Sequence, residues 1–321
     1  MIESRGLTRT FKTRKGNVEA VRGVDFSVQA GEIVGFLGPN GAGKTTTLRM
    51  LTTLLTPTAG SATVAGCSLL EDPDGVRRRI GYVAQGGSTD PTCPVGEELV
   101  LQAELYRIAG AEARRRSKEL LDQLDLAGLE DRPVKTLSGG QKRRLDVALG
   151  LVHRPPLVFL DEPSAGLDPQ ARNNLWGHVR RLREGLNTTI FLTTHYLDEA
   201  DALCDRILVI DHGKIVAEGT PDELKRRISG EVVVVEIVGD AEKGRAALAG
   251  LAGVRDATVD GTALRLTVER GDQALPGLLR ALDTAGVGLA SIALHRPTLD
   301  DVFLTLTGRS LRDEASDGKV N

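Results

Sequence analysis

The segment EIVGFLGPNGAGKTTTLRMLTTLL, residues 32–55, constrains the fold of this chain more than any other part of its sequence. A short apolar run predicts a buried strand, KTTTLRMLTTLL predicts a helix, and GPNGAGKT between them fits G-x-x-x-x-G-K-[ST]. Glycines in such a loop let successive backbone N–H groups converge on phosphate oxygens, and the helix adds the partial positive charge of its N terminus. We therefore predict an α/β fold with a phosphate-binding loop, in which Lys44 reaches the β- and γ-phosphates and Thr45 offers its hydroxyl to Mg²⁺.

A second candidate site lies in LVFLDEP, residues 157–163, an apolar strand that ends in Asp161 and Glu162. Because adjacent strand residues face opposite sides, the two carboxylates are predicted to do different work. Asp161 is expected to hold the Mg²⁺ shell, and Glu162 to polarise a water for attack on the γ-phosphate. If the two carboxylates stood alone, a solvated pair at the end of a strand would be the simpler explanation. Because the chain also has a phosphate loop, the functional explanation is favoured.

A third segment, LSGGQKRRLDVALGLV, residues 137–152, predicts another helix start suited to anions. Ser138 can offer its hydroxyl, while Gly139 and Gly140 expose backbone N–H groups at the positive end of the helix dipole. An ordinary N-cap would explain the three residues if they stood alone. Together with the first loop, they predict two phosphate-binding segments in one chain.

The rest of the chain predicts two domains, as does its length of 321 residues. Antiparallel strands are predicted before the phosphate loop, and helices over about 86–152 form a helical subdomain of a first domain, residues 1–229. Residues 230–308 show the order β-α-β-β-α-β-α, which predicts a small ferredoxin-like α+β domain. Residues 309–321 are polar and predicted to be a flexible tail.

The composition of the chain argues against nucleic acid as a partner and against a membrane-spanning segment. The net charge is −3 and aromatic residues are 3% of the chain, so neither a global attraction to nucleic acid nor a base-stacking surface is expected. The basic runs at 77–79, 114–116 and 142–144 are predicted to be solvated helix faces. No apolar run approaches the roughly 18 residues of a membrane span, so we expect that the chain does not cross a bilayer by itself.

Taken together, these motifs resemble those of the ATP-binding subunits of ABC transporters. GPNGAGKTT is similar to the Walker A motif, LSGGQ to the ABC signature, VFLDEP to the Walker B motif and SAGLD, residues 164–168, to the D-loop. Gln85 in GYVAQ resembles the Q-loop glutamine and His195 in TTHYLDEAD the switch histidine. The motifs follow the family's order and span residues 1 to about 225.

The resemblance implies a P-loop ATPase that binds ATP and Mg²⁺ in a head-to-tail dimer, with ATP between Walker A of one copy and the signature of the other. It implies that Glu162 is the general base, that His195 contacts the γ-phosphate, and that Gln85 reaches Mg²⁺ together with Thr45 and Asp161. Asp168 would link the two sites, and Phe11 would stack on adenine. The remaining implied nucleotide contacts are Gly38, Pro39, Asn40, Gly41, Ala42, Gly43, Lys44, Thr46, Ser138, Gly139, Gly140 and Gln141.

THYLDEAD and the C-terminal HRPTLDDVFLTLTG resemble the daunorubicin-resistance branch of the family. That branch implies a separate ABC-2 type permease as membrane partner, a place at the cytoplasmic face of the membrane, and efflux of a drug or other hydrophobic compound. It also implies a small C-terminal domain, for which we expect a regulatory or dimer-stabilising role. The alternatives are an ATPase of a lipid or polysaccharide exporter and a soluble ABC ATPase outside transport. A P-loop kinase or GTPase would leave the signature and His195 without a purpose.

Overall fold

A computed structural model describes residues 1–308 except positions 15, 88, 229, 230, 240, 249, 262 and 296. The chain forms two compact units, the first comprising Met1–Pro221 and the second beginning at Asp222. The predicted boundary near Ser229 and the predicted tail, residues 309–321, lie outside the described residues.

The first unit combines two sheets with helices. Its strands, over the described residues, are β1 (Ile2–Thr13), β2 (Gly16–Val28), β3 (Ile33–Leu37), β4 (Ala59–Val64), β5 (Cys67–Ser68), β6 (Ile80–Val83), β7 (Leu157–Asp161), β8 (Thr189–Thr194), β9 (Arg206–Asp211) and β10 (Lys214–Gly219). Its helices are α1 (Lys44–Leu51), α2 (Pro73–Arg79), α3 (Val95–Leu105), α4 (Gly110–Gln123), α5 (Gly139–Leu151), α6 (Pro169–Leu186) and α7 (Leu197–Leu203), and α8 (Pro221–Ile228) begins at the boundary.

The antiparallel sheet has the strand order β2-β1-β4-β5, which confirms the predicted strands before the phosphate loop. The apolar positions of β2 explain its orientation, since Val24, Phe26 and Val28 alternate with exposed residues and are buried. Their burial on one face fixes which side of the sheet packs onto the core.

The second sheet, β10-β9-β3-β8-β7-β6, carries the site. Its strands pair in parallel from β9 to β6, and β3, β7 and β8 are buried along their whole length. Phe36, Phe159 and Phe191 pack in this core with Phe26 of the other sheet, and the ring centroids of contacting pairs are 5.6–6.0 Å apart. The parallel arrangement brings the carboxyl ends of β3, β8, β7 and β6 to one edge, where ligands bind in open α/β sheets.

Helices α3, α4 and α5 occupy the segment predicted as a helical subdomain. Leu99, Leu120 and Leu121 are buried among them, as the apolar pattern predicts. His153 stacks on Tyr106 with ring centroids 3.7 Å apart, and its Nε2 lies 2.9 Å from the carbonyl oxygen of Ile80. No helix in the described part of the chain is both long enough and apolar enough to cross a membrane.

The stability of the first unit is expected to fall in acid because of His153. Burial lowers the pKa of His153 to about 4, below its ordinary 6.5, so the folded chain favours the neutral ring. The stabilisation is complete above pH 6.5 and is lost as the pH falls toward 4, by about 3 kcal/mol. Urea unfolding between pH 4 and 7, followed by the fluorescence of the single Trp176, should show this slope in the wild type. His153→Gln should reduce the slope, whereas exposed His295→Gln should leave it unchanged.

The second unit has the predicted order of elements. Its elements are β11 (Glu231–Val238), α9 (Ala241–Leu248), β12 (Val254–Asp260), β13 (Ala263–Val268), α10 (Gly271–Thr284), β14 (Gly288–His295) and α11 (Leu299–Thr307). The antiparallel order β12-β13-β11-β14 is that of a ferredoxin-like sheet. Alternate residues of β11, such as Val233 and Val235, are buried with Leu278 and Leu282 of α10.

Candidate active site

The phosphate loop, residues 38–43, connects β3 to α1, and two of its glycines are sterically required. An added Cβ on Gly38 would lie 2.3 Å from the carbonyl oxygen of Ile210. Gly43 has φ +108°, and its Cβ would lie 2.5 Å from the carbonyl oxygen of Ala20. The two glycines therefore let the loop approach its neighbours closely and lead directly into α1, whose first turn directs its backbone N–H groups toward the loop.

Lys44 begins α1 and is buried, with 4% of its surface exposed. Its Nζ donates to the carbonyl oxygens of Gly38 and Pro39 at 2.7 and 3.0 Å and lies 3.5 Å from Oε1 of Glu162. The ammonium therefore lies between the loop and the Glu162 carboxylate, in a position to contact a phosphate group.

Asp161 and Glu162 follow one another at the end of β7, at the sheet edge as the sequence predicts, and the structure shows that both are buried. Thr193 Oγ1 donates to Asp161 Oδ1 at 2.6 Å and accepts from the Glu162 N–H at 3.0 Å. Thr45 Oγ1 also donates to Asp161 Oδ1, at 3.3 Å. Glu162 has φ +45°, a left-handed conformation that costs a non-glycine residue energy and persists only where its surroundings hold it.

Three side chains from different strand ends surround the Glu162 carboxylate. Gln85 Nε2 donates to Oε2 at 2.9 Å, and Lys44 approaches Oε1. His195 Nδ1 lies 3.3 Å from Oε1, within ion-pair distance but not aligned for a hydrogen bond. Burial raises the pKa of Glu162, but His195 and Lys44 outweigh burial, so the pKa is lowered overall. The Glu162 carboxylate is therefore ionised at neutral pH and can accept a proton.

A cavity of about 210 Å³ opens at this edge, large enough to receive phosphate groups. Its described lining residues are Ala20, Asn40, Gly41, Gly43, Lys44, Thr45, Thr46, Gln85 and Glu162. In the described residues, no cluster of three or more His, Cys, Asp or Glu side chains is arranged to hold a metal. The hydroxyl of Thr45 and the carboxylate of Asp161 are nevertheless oxygen donors of the kind that Mg²⁺ binds together with substrate phosphates.

The signature residues are not part of this cavity lining. Ser138 and Gln141 form a capping box at the start of α5, with Gln141 N–H donating to Ser138 Oγ at 3.3 Å and Ser138 N–H donating to Gln141 Oε1 at 2.9 Å. Ser138 and Gly139 are exposed. Asp168 is also exposed and caps α6 by accepting from Ala171 N–H at 2.9 Å. One chain therefore does not bring its two predicted phosphate-binding segments together.

Phe11 lies on β1, and the described cavity lining does not include it. The guanidinium of Arg9 lies over its ring, 4.7 Å from the centroid. One face of Phe11 is thus covered by Arg9, and its role beside adenine stays a prediction.

Two residues of the site were missed from the sequence. Thr193 could have been noticed, because two threonines end the buried strand TIFLTT directly before His195. Arg143 was predicted to lie on a solvated helix face, and this prediction is wrong, since only 6% of Arg143 is exposed. Arg143 lies four residues before buried Val147 on α5, so both residues lie on the same face of the helix. This spacing was the sequence signal that Arg143 is buried.

Known proteins are similar to this chain over nearly its whole length. The family described as ABC transporter matches residues 21–165, and the family described as ATP-binding protein DrrA1-3-like, C-terminal domain, matches residues 219–307. The chain is 43% identical to daunorubicin/doxorubicin resistance ATP-binding protein DrrA of Streptomyces peucetius, over 99% of this chain and 97% of that protein. It is 41% identical to Nod factor export ATP-binding protein I of Ralstonia nicotianae, over 94% of each chain.

A solved structure resembles the first unit. It is the dimeric post-hydrolysis state of the ATP-binding cassette MJ0796 bound to ADP and Pi, with a TM-score of 0.63 and 26% identity. The match covers 68% of this chain and 98% of that one.

Proposed function

Because this chain belongs to the ABC transporter ATP-binding proteins, in the daunorubicin/doxorubicin-resistance branch, and is an ATPase, we propose that it powers export through a separate membrane permease. The cargo we propose is a drug or another hydrophobic compound. The observation that carries the ATPase part is the convergence of Lys44, Gln85 and His195 on the Glu162 carboxylate beside the phosphate loop.

In the proposed mechanism, the loop N–H groups and Lys44 bind the phosphates of ATP, and Glu162 accepts a proton from the attacking water. Its lowered pKa keeps Glu162 ionised through neutral and mildly acidic pH. His195 contacts the γ-phosphate, and Gln85 orients the carboxylate through its 2.9 Å hydrogen bond. Thr45, Asp161 and Gln85 would hold Mg²⁺, which neutralises charge that develops on the phosphates.

The functional form we propose is a head-to-tail dimer of two copies. The exposed helix start at Ser138 and Gly139 supports this proposal, because it is suited to an anion and does not line the cavity of its own chain. A second copy would place its Ser138 segment over ATP that is bound to the first. Asp168 would then lie at the interface between the two sites.

A permease of the ABC-2 type is the proposed membrane partner, and it would hold this chain at the cytoplasmic face of the membrane. Support comes from α3, where Leu101 and Leu105 are 53% and 70% exposed. Leu101 lines an open groove of about 690 Å³. Exposed large apolar side chains beside a groove favour a protein-binding surface.

For the second unit we propose a role in stabilising the dimer. Its own buried apolar core would let it fold as a separate unit and serve this role. Truncation after Ser229 should weaken dimer formation with ATP by several-fold, as measured by light scattering, while the first unit stays folded by circular dichroism. Unchanged dimerisation, ATPase activity and transport would contradict this role.

Export is tested in cells that express the chain together with a candidate ABC-2 permease. The proposal predicts lower accumulation of daunorubicin, followed by its fluorescence, than in cells that express the Glu162→Gln chain with the same permease. Equal accumulation would contradict the drug proposal. A cargo other than a drug, such as a lipid or polysaccharide, is the second candidate, because the relative named for Nod factor export is nearly as similar as the drug-resistance relative.

A further inference from the structure

The guanidinium of Arg143 is buried between α5 and the catalytic edge of the sheet, although Arg143 is the middle residue of a run of three basic residues. The same helix packs closely on β6 about two turns further along, since a Cβ on Gly150 would meet Val83 Cγ2 at 2.7 Å. Arg143 thus belongs to a tightly packed contact between the signature helix and the sheet.

Four backbone carbonyl oxygens accept hydrogen bonds from this one side chain. Nη1 donates to Ala84 at 2.6 Å, and Nε donates to Pro163 at 2.8 Å. Nη2 donates to Asp161 at 2.9 Å and to Glu162 at 3.3 Å. A planar guanidinium with five N–H groups can span such a set, whereas a lysine ammonium cannot.

The buried positive charge of Arg143 is stabilised by nearby carboxylates. Burial lowers the pKa of Arg143, and carboxylates oppose that effect, with Asp146 Oδ2 lying 3.7 Å from Nη1. Arginine stays cationic at all relevant pH values. The bonds to the carbonyl oxygens are therefore charge-assisted, which makes them about twice as strong as neutral ones.

The carbonyls that Arg143 holds belong to the two segments that meet at the reaction site. Ala84 directly precedes Gln85, and Glu162 is held through its own carbonyl oxygen. The side chains of Gln85 and Glu162 are hydrogen-bonded to each other at 2.9 Å. Glu162 also has the left-handed φ of +45°, which the surrounding structure must maintain.

We propose that Arg143 is a positioning residue for ATP hydrolysis, which aligns Glu162 with Gln85 and ties their alignment to the helix that carries the signature. Arg143 lies five residues after Ser138, about 7 Å along one rigid helix. A displacement of the signature helix is thereby transmitted to the catalytic carboxylate. This inference rests on the proposed roles of Glu162 and Gln85.

The test is Arg143→Lys in the full-length chain, assayed for ATP hydrolysis and for nucleotide binding. Because misplacement of a catalytic group by about 1 Å can cost 10²-fold, kcat should fall roughly 10–100-fold. KM and the dissociation constant for ATP should change less than about threefold, since the hydrogen bonds that Arg143 makes within the described residues go to Ala84 and to residues 161–163 rather than to the phosphate loop. Arg144→Lys, the adjacent arginine of the same helix, is the matched control and should retain wild-type kcat.

A double-mutant cycle separates positioning from general stability. In the Glu162→Gln background, Arg143→Lys should lower the residual rate less than about threefold, because the group it aligns is already absent. An equal loss in both backgrounds would overturn the proposal. If lysine at this buried position prevents folding, Arg143→Gln carries the test with the same expected loss of kcat, since it buries no charge and retains an amide donor.

The outcomes distinguish this inference from the proposed function. A wild-type chain that fails to hydrolyse ATP would contradict the roles of Glu162 and Gln85. A wild-type chain that is active, with an Arg143→Lys or Arg143→Gln variant of equal kcat, would overturn the positioning role alone.

Discussion

Glu162→Gln is expected to bind ATP and dimerise but to hydrolyse ATP roughly 10²–10⁴-fold more slowly than the wild type, the range lost with a general base. The amide is nearly the same size as the carboxylate, so Gln85 and Lys44 keep a partner at this position. Removal of the negative charge 3.5 Å from Lys44 leaves more of the ammonium's charge for the phosphates, so ATP affinity should be equal or higher. Single-turnover hydrolysis and equilibrium binding measure the two effects separately.

The matched control is Glu3→Gln, which removes an exposed carboxylate on β1 that is not among the described residues lining the cavity. Its kcat should equal that of the wild type. Full turnover by Glu162→Gln would remove Glu162 from the catalytic role and leave water activation to another group.

Lys44→Ala is expected to lose ATP affinity by roughly 10–100-fold, the effect of losing one charge-assisted hydrogen bond to phosphate. The variant also leaves the carbonyl oxygens of Gly38 and Pro39 without the donor that now contacts them. The loop should therefore hold phosphates less well, and hydrolysis at ordinary ATP concentrations should be nearly absent. Isothermal titration with ATP measures the change.

Lys214→Ala, which removes an exposed lysine on β10, controls for the loss of one positive charge and should bind ATP normally. Thermal unfolding should confirm that the Lys44→Ala chain is folded. Wild-type affinity in a folded Lys44→Ala chain would contradict the assignment of residues 38–45 as the phosphate-binding loop.

Contiguous parts of the site could be predicted from the sequence because their geometry is local. A strand, a glycine-rich loop and a helix define the position of Lys44 without reference to the rest of the chain. Asp161 and Glu162 end a run of apolar residues, so their place at a sheet edge also follows from local pattern. The second unit was predictable for the same reason, since short elements with clear periodicity alternate along it.

Contacts between distant segments could not be predicted in this way. Arg143 belongs to a basic run that is similar in sequence to the runs at 77–79 and 114–116. Tertiary packing, which the sequence pattern does not show, brings its guanidinium within hydrogen-bond distance of four carbonyl oxygens. The link from Thr193 to Asp161 depends on two strands being neighbours, which no local pattern encodes.

We propose that this ATPase works for a membrane permease, and the most direct test measures its ATP hydrolysis with and without a candidate ABC-2 permease in membranes. We expect that the two proteins co-purify and that the permease raises kcat, with no increase when it is paired with the Glu162→Gln chain. High activity that no permease binds or changes, and that ribosomes or DNA stimulate instead, would contradict the account and favour a soluble ABC ATPase.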